Sequence, residues 1–323
     1  MTTLPAPAQL FSPRHWHRPL TVTAAVMATL TVVSLVAMFV DDRRILGESV
    51  WLKPAKFGVA FAMYTLTLAW LVSQPHRGAR LSRWMGTLFA VTGIVDVGFI
   101  VVQAARGTFS HFDTETDVVN SVGQVIFTSG VPGLFVANLV VAVNLSWQRI
   151  LDRPTGRAVH AGLAIAVAGM ALGYLMGFTG EQTVRDAAGH PVRLAAGHTV
   201  TDPVLTVRDG VGEMPIVHWS TLGGDLRIPH FAGLHGIQIL IAIAVATAWV
   251  ARRRPWLDER VRGRLVGVLV HGYRSRSASL ANATRFAVSS ASSARSAPSA
   301  TAVATSSAAQ RAANQRSARS AAS

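Results

Sequence analysis

The chain contains no cysteine. That excludes disulfide bonds, thiolate metal sites and a cysteine nucleophile, and it leaves the redox compartment open. Charge is scarce too: 14% of the 323 residues are Asp, Glu, Lys or Arg, against about 25% in an ordinary soluble domain. Acids are the scarcer kind, 16 against 30 Lys and Arg, for a net charge of +14. No phosphate-binding glycine loop, dinucleotide fingerprint or hydrolase nucleophile motif is found. No nucleic-acid recognition module accompanies the basic excess, so nucleic acid is not expected as a partner. Six arginines and no acid lie in 275–323, and much of the remaining basic charge flanks apolar blocks. Basic residues in such places orient membrane proteins.

Apolar residues make up 50% of the chain and fall in blocks. A bilayer-spanning helix needs about 20 of them in succession. Six blocks qualify: Leu20–Val40, Trp51–Val72, Trp84–Ala105, Val122–Trp147, Ala158–Phe178 and Phe231–Val250. The first is longer than the core of a secretion signal and lacks a small-residue cleavage site, so it reads as an uncleaved span. Lys53 and Lys56 fall in the first turns of the second block, where their stems can reach the interface. Pro132 inside the fourth is tolerable because neighbouring helices can satisfy the freed carbonyl. A seventh apolar stretch, Leu265–Tyr273, is too short to cross. The fold class is therefore all-α, a polytopic transmembrane helix bundle with six spans plus an incomplete seventh, with the lipid bilayer as its partner.

The transmembrane domain is expected over 1–271, with 179–229 as an extracytoplasmic loop inside it. Short alternating runs at His198–Val204 and Met214–His218 suggest hairpins there. The Ala/Ser/Arg-rich tail, 272–323, cannot bury enough apolar surface to fold and reads as disordered. GC-rich DNA read out of frame gives the same composition, so a shifted frame is an open alternative. Orientation follows from basic asymmetry. The N-terminus and the segments Arg77–Arg83, Arg149–Arg157 and Arg252–Arg264 hold 14 basic residues and three acids. The opposite set, 41–56, 105–118 and 179–229, holds nine basic residues and 12 acids. The N-terminus is thus expected on the cytoplasmic side. Trp16, Trp51, Trp84, Trp147 and Trp219 lie near span boundaries, where interfacial anchors belong.

Polar residues inside spans carry the functional expectation. Asp96 interrupts the third block, and a carboxylate there costs about 2.5–3.5 kcal/mol or more on insertion scales. Gln103, seven residues on, shares its face. The sixth block opens Asp225-Leu-Arg227-Ile-Pro-His230-Phe-Ala-Gly-Leu-His235-Gly-Ile-Gln238, and His235 and Gln238 are one turn apart. By depth, Lys53, Lys56, Asp96, Gln103, Arg106, His111, Gln124, Asp225, Arg227, His230, His235 and Gln238 gather at the outer side, as the lining of a polar cavity or as separately satisfied interfacial groups. His230 and His235, five apart, point in different directions and make a poor metal pair, so no metal set is read from spacing. The acidic run Asp113, Glu115, Asp117 matches no calcium loop. Haem needs two imidazoles at one depth, and no clean pair emerges; no cofactor is assigned.

Three patches together, Trp51-Leu-Lys-Pro-Ala-Lys-Phe57, Arg106-Gly-Thr-Phe-Ser-His-Phe112 and Asp225 to Gln238, resemble a group of bacterial multi-pass membrane proteins of unassigned function. The resemblance runs over roughly 15–270. It implies a shared helical membrane fold in a bacterial cytoplasmic (inner) membrane, with a complete seventh helix, and no particular activity. The first functional expectation is binding or transport of a small polar solute, ion or proton at the outward-facing site, with Asp96 as its switchable charge. A redox role through haem or quinone at the same histidines, and a non-catalytic assembly or sensor subunit, are the alternatives.

Overall fold

The computed structural model describes residues 15–148, 151–200, 208–222, 224–254, 256–273 and 275. Among these residues, six helices are long and apolar enough to cross a membrane. They are α1 (Arg18–Val40), α2 (Leu52–Val72), α3 (Ala79–Arg106), α4 (Val118–Ser146), α5 (Arg153–Gly173) and α6 (Arg227–Ala251). Each coincides with an expected span, and the ends differ by local chemistry. Pro19 and Pro154 open α1 and α5 within the first two positions, where the missing N–H is no loss. Asp117 caps α4 by accepting from the Val119 and Asn120 N–H groups at 3.0 and 3.1 Å. Gly107 ends α3 in the left-handed conformation, φ 75°, which glycine adopts without a Cβ clash. The last five residues expected in the fifth span, Tyr174–Phe178, tighten into a 3₁₀ turn.

Helices α1 and α2, α3 and α4, and α5 and α6 form the closest pairs, with α2 also packed on α3. Leu20, Leu68, Leu71, Phe89, Leu145, Leu163 and Ile237 are buried in one core. Inside that core the Tyr64 hydroxyl donates to Asn138 Oδ1 at 2.9 Å, while Asn138 Nδ2 has no partner among the described residues. Val32, Phe39, Val91, Val125, Val143 and Trp147 face outward and exposed, as a lipid-facing surface requires.

The seam between α5 and α6 is made of glycine. A Cβ built on Gly162 would lie 2.7 Å from Ile237 Cα, and one on Gly169 2.6 Å from Leu234 N. The two backbones are therefore in direct contact, the small-residue packing that brings helices together in lipid. A seventh helix, α7, is described over 259–273. Its described stretch of 15 residues is about 22 Å long at about 1.5 Å per residue. Val266 packs with Ala158, Ile165, Leu240 and Ala244, and the Tyr273 hydroxyl donates to Ala232 O. Tyr273 thus contacts α6 just past residue 271. Residues 276–323, and with them the expectations of disorder and of a shifted frame, lie outside the described residues.

The connections 41–51, 107–117 and 179–226 all emerge at one end of the bundle, called here the lid end. Strands β1 (Arg44–Ile45) and β2 (Glu48–Ser49) form a small hairpin between α1 and α2. Strands β3 (Gln182–Arg185) and β4 (Pro191–Leu194) pair antiparallel, Gln182 opposite Leu194 and Arg185 opposite Pro191. Their inward residues Val184, Val192 and Leu194 pack on Leu46, Phe109 and Phe112. Strands β5 (Thr199–Val200) and β6 (Gly224–Asp225) make one further short pair. The lid hairpin therefore lies at 182–194, not at the expected runs. Of His198–Val204 only Thr199 and Val200 are strand among the described residues, and 201–204 lie outside them. Met214–His218 is a turn in which Ile216 and His218 take positive φ of 71° and 53°. Alternation over five residues does not separate a strand from such a turn.

Candidate functional site

The lid is fastened by two buried carboxylates. Asp209 accepts from the backbone N–H of Thr199 at 2.9 Å and of His198 at 3.1 Å, and from His198 Nδ1 at 2.8 Å. Burial alone would raise its pKa. The charge and hydrogen bond of His198, the Thr199 bond and the charge of Arg227 outweigh burial and hold Asp209 far below the usual carboxylate range. Asp225, at the foot of α6, accepts from Ser220 N at 2.8 Å and from Arg227 NH2 at 2.7 Å. Arg227 also donates to His218 O and lies 3.6 Å from Glu213 Oε1. Across from it, Lys56 of α2 pairs with Glu48 of β2 at 3.1 Å and reaches Val217 O at 3.4 Å. His218 Nδ1 lies 3.2 Å from Glu213 Oε2 and 3.5 Å from Glu48 Oε1. One ionic network thus ties the lid to α2 and α6.

A second layer consists of imidazoles. His111 lies against Phe57, Phe112 and Phe127, with ring centroids 5.8, 6.1 and 4.2 Å away. Phe112 in turn contacts His198, 6.0 Å between centroids. His230 of α6 donates from Nδ1 to Gly169 O at 2.8 Å. Because a carboxylate and a carbonyl can only accept, His198 and His230 both carry the proton on Nδ1 in these bonds, and Nε2 is the remaining ring nitrogen. Neither Nε2 has a hydrogen-bond partner among the described residues. Burial pushes the His111 pKa well down, helped by the positive charge of Lys53, His198 and His230. Lys53, in the first turn of α2, is only partly buried. It feels the charges of Glu48, Lys56, Arg227 and Asp209 but makes no ion pair among the described residues.

The pH dependence of the lid end follows with a definite sign. The folded pKa of His111 lies below its unfolded value of 6.5. Stability is therefore fully present above that value and is lost as pH falls toward the folded pKa, by up to about 1.4 kcal/mol per pH unit for one proton. The melting temperature should fall between about pH 7.5 and about pH 5, and the fall should be shallower in His111→Phe, which keeps the aromatic nest. Parallel curves for the two proteins would remove His111 as the titrating group.

The remaining expected residues divide into three sets. Gln103 donates to Phe109 O at 2.9 Å and Asn120 Oδ1 at 3.0 Å, and accepts from Arg106 at 2.7 Å. Gln124 donates to Ser110 O and Asn120 Oδ1, both at 3.1 Å. Arg106 pairs with Asp117 at 2.9 Å. These three hold the 107–117 loop against α3 and α4. His235 stacks on Phe231, 5.8 Å between centroids, with its buried Nδ1 unpaired among the described residues. Gln238, with its amide in the satisfied orientation, donates to the Leu234 and His235 carbonyls of its own helix. Asp96 lies apart, 2% exposed. Its carboxyl carbon stands 2.7 Å from where a Cβ of Gly130 on α4 would be. Both its oxygens lack a partner among the described residues, and no charged side chain acts on it.

The structure therefore brings together Lys53, Lys56, His111, Asp225, Arg227 and His230. It adds Glu48, His198, Asp209, Glu213 and His218, none of which is among the site residues expected from the sequence. No spacing signal marks them, since Glu48 and His218 meet across 170 residues of chain. Compared with protein-family models, with curated proteins and with solved structures, the chain matches none.

Proposed function

We propose that the chain is a multi-pass protein of a bacterial cytoplasmic membrane, related to the group that its three patches resemble, with its N-terminus inside and its lid outside. The asymmetry of 14 basic residues and three acids against nine and 12 supports this orientation. In this reading the lid end binds a small polar solute, as the recognition step of transport or sensing. The observation that carries it is Lys53: an amine at the mouth of the bundle with no ion pair among the described residues, close enough to act on His111, which also feels His198 and His230, whose Nδ1 atoms are anchored. A solute with an anionic group would supply the missing counter-charge, and the Nε2 atoms of His198 and His230 would contact its polar groups.

The test is a thermal-shift panel of small carboxylates, phosphates and neutral sugars on the detergent-purified protein, followed by calorimetry on any hit. An anionic hit is expected to lose about 10- to 100-fold in affinity in Lys53→Met, the range for one charge-assisted hydrogen bond. Unchanged affinity in that variant would take Lys53 out of the site.

A redox role is the second reading, and the same anchoring favours it. An Nδ1–H bond to a carbonyl or carboxylate, with Nε2 left over, is how metal-bound imidazoles are usually held. An absorption spectrum of the purified protein, oxidised and then reduced, separates the readings: a Soret band with stoichiometric iron selects haem, and a colourless protein leaves solute binding ahead.

A further inference from the structure

At the rim of the lid, three side chains from two segments bring donor atoms together: Glu48 of β2, and Glu213 and His218 of the lid. We propose that Glu48, Glu213 and His218 form a binding site for a divalent transition-metal cation of the zinc type, lying outside the spans and closing the lid onto the α1–α2 connection. It does not depend on which solute the mouth takes.

The geometry carries the proposal. Glu213 Oε2 lies 3.2 Å and Glu48 Oε1 3.5 Å from His218 Nδ1, and all three donor atoms fall within 4.8 Å of one another. A tetrahedral ion with bonds of about 2.0–2.2 Å places neighbouring donors roughly 3.3–3.6 Å apart, so two edges of the triangle already have metal-site length. The three groups are partly buried, with side-chain exposures of 17%, 9% and 24% in chain order. Lys56 and Arg227 offset the carboxylates from their outer sides, and the charge between the three donors is either a proton on Nδ1 or a cation. A proton on Nδ1 lies along one N–H direction and serves one carboxylate well; a cation serves both at once.

The outer surroundings fit a ligand set. Each carboxylate has its other oxygen held by a donor, which orients the inward one. Glu48 Oε2 accepts from Lys56 Nζ at 3.1 Å, while Glu213 Oε1 accepts from Gly210 N at 3.0 Å and lies 3.6 Å from Arg227. These cations offset part of the carboxylate charge, so the site is not a strongly anionic trap for hard cations. One imidazole and two carboxylates suit zinc, manganese or ferrous iron better than calcium or magnesium, which take oxygen alone. Three protein ligands leave a fourth position for water or for a polar group of a solute.

The experiment uses the full chain, purified in mild detergent and stripped with a chelator. Calorimetric titration with Zn²⁺ should show one site per chain, weakened by about 100-fold or more in Glu213→Gln and in His218→Ala. His190→Ala, which removes an exposed histidine paired with Asp186 at the tip of the β3–β4 hairpin, should bind as wild type does. Co²⁺ added to the wild-type chain should give the visible absorption of a four- or five-coordinate ion, displaced by Zn²⁺; this readout needs no variant. Zn²⁺ binding that survives both substitutions, or that is absent from the wild type, would overturn the proposal and leave His218 as a hydrogen-bonding partner of Glu48 and Glu213 alone. Equal binding of Mg²⁺ or Ca²⁺ would overturn the choice of metal class.

Discussion

Replacing Gly169 by Val should abolish recovery of folded protein. A Cβ at this position would lie 2.6 Å from Leu234 N and 2.7 Å from Gly233 Cα. Both obstacles are backbone of α6, so no rotamer change relieves them, and the two helices must separate. Gly162 meets Ile237 Cα in the same way one level along the seam, so α6 cannot slide to make room. Overpacking of a core typically costs about 1–3 kcal/mol, and a displaced backbone belongs at or above the top of that range. Most of the stability of an ordinary domain is only about 5–15 kcal/mol, and here the lost contact would also move His230, whose ring is held by Gly169 O. Gly98 is the control: it is exposed on α3 with nothing within 4 Å of its would-be Cβ, so Gly98→Val should elute and melt like the wild type. Size-exclusion profiles in detergent decide the matter. A monodisperse Gly169→Val protein with an unchanged melting temperature would contradict the close seam.

The second large effect is expected at Asp225. Its side chain is 0% exposed, and that of its partner Arg227 is 15% exposed. Asp225→Ala removes the acceptor for Ser220 N and for three guanidinium bonds at 3.0, 3.1 and 2.7 Å, leaving Arg227 buried with Glu213, His218 O and the more distant charge of Asp209. Removing one member of a buried pair typically costs about 3–5 kcal/mol. The paired substitution Asp225→Leu with Arg227→Met leaves no uncompensated charge and should recover much of the loss, though not the cap on Ser220. The effect should be regional. Limited proteolysis should cut the single variant within 208–222 at protease concentrations that leave the wild type whole, while the helical bundle remains resistant. Equal protection of single and double variants would show that the pair does not hold the lid.

Much of the architecture is legible in the sequence. Twenty apolar residues in succession have few outcomes other than a membrane helix, so all six blocks were found. The ends were less legible because helix and hydropathy do not stop together. Helix α3 begins at Ala79 rather than Trp84 because Arg80 and Arg83 continue the helix while their charged heads can reach water. Helix α6 begins at Arg227, four residues before the apolar block, since Pro229 and the Asp225–Arg227 pair start the turn. The main lid hairpin lies outside the two expected runs, of which only Thr199–Val200 is strand among the described residues, because short alternating runs are common and 182–194 is fixed by contact with Phe109 and Phe112, far away in the chain.

At the candidate site, depth along a helix was readable and rotation about its axis was not. Lys53, His111 and His230 were expected at the lid end and meet there. Gln103 and Gln124 have the right depth, yet their amides are spent on the 107–117 loop. Asp96 was expected to be the switchable charge of the cavity, and it faces the backbone of α4 at Gly130 instead. Its chemistry is that of a solitary buried carboxyl, with no counter-ion among the described residues. The acids that organise the lid, Asp209 and Glu213, were invisible because their partners come from tertiary pairing of loops, for which sequence spacing carries no code.

The absence of cysteine makes the decisive measurement simple. Lys53→Cys introduces the sole thiol of the chain, at the mouth of the bundle beside Lys56 and Arg227. Intact cells are treated with a negatively charged, membrane-impermeant thiol reagent, and Arg77→Cys, at the opposite end of the bundle, is treated in parallel. The expected result is prompt labelling of Lys53→Cys from outside, slowed by any anionic solute that binds, and labelling of Arg77→Cys only after the membrane is opened. Labelling of Arg77→Cys in intact cells, with Lys53→Cys silent until permeabilisation, would contradict an outward-facing polar site.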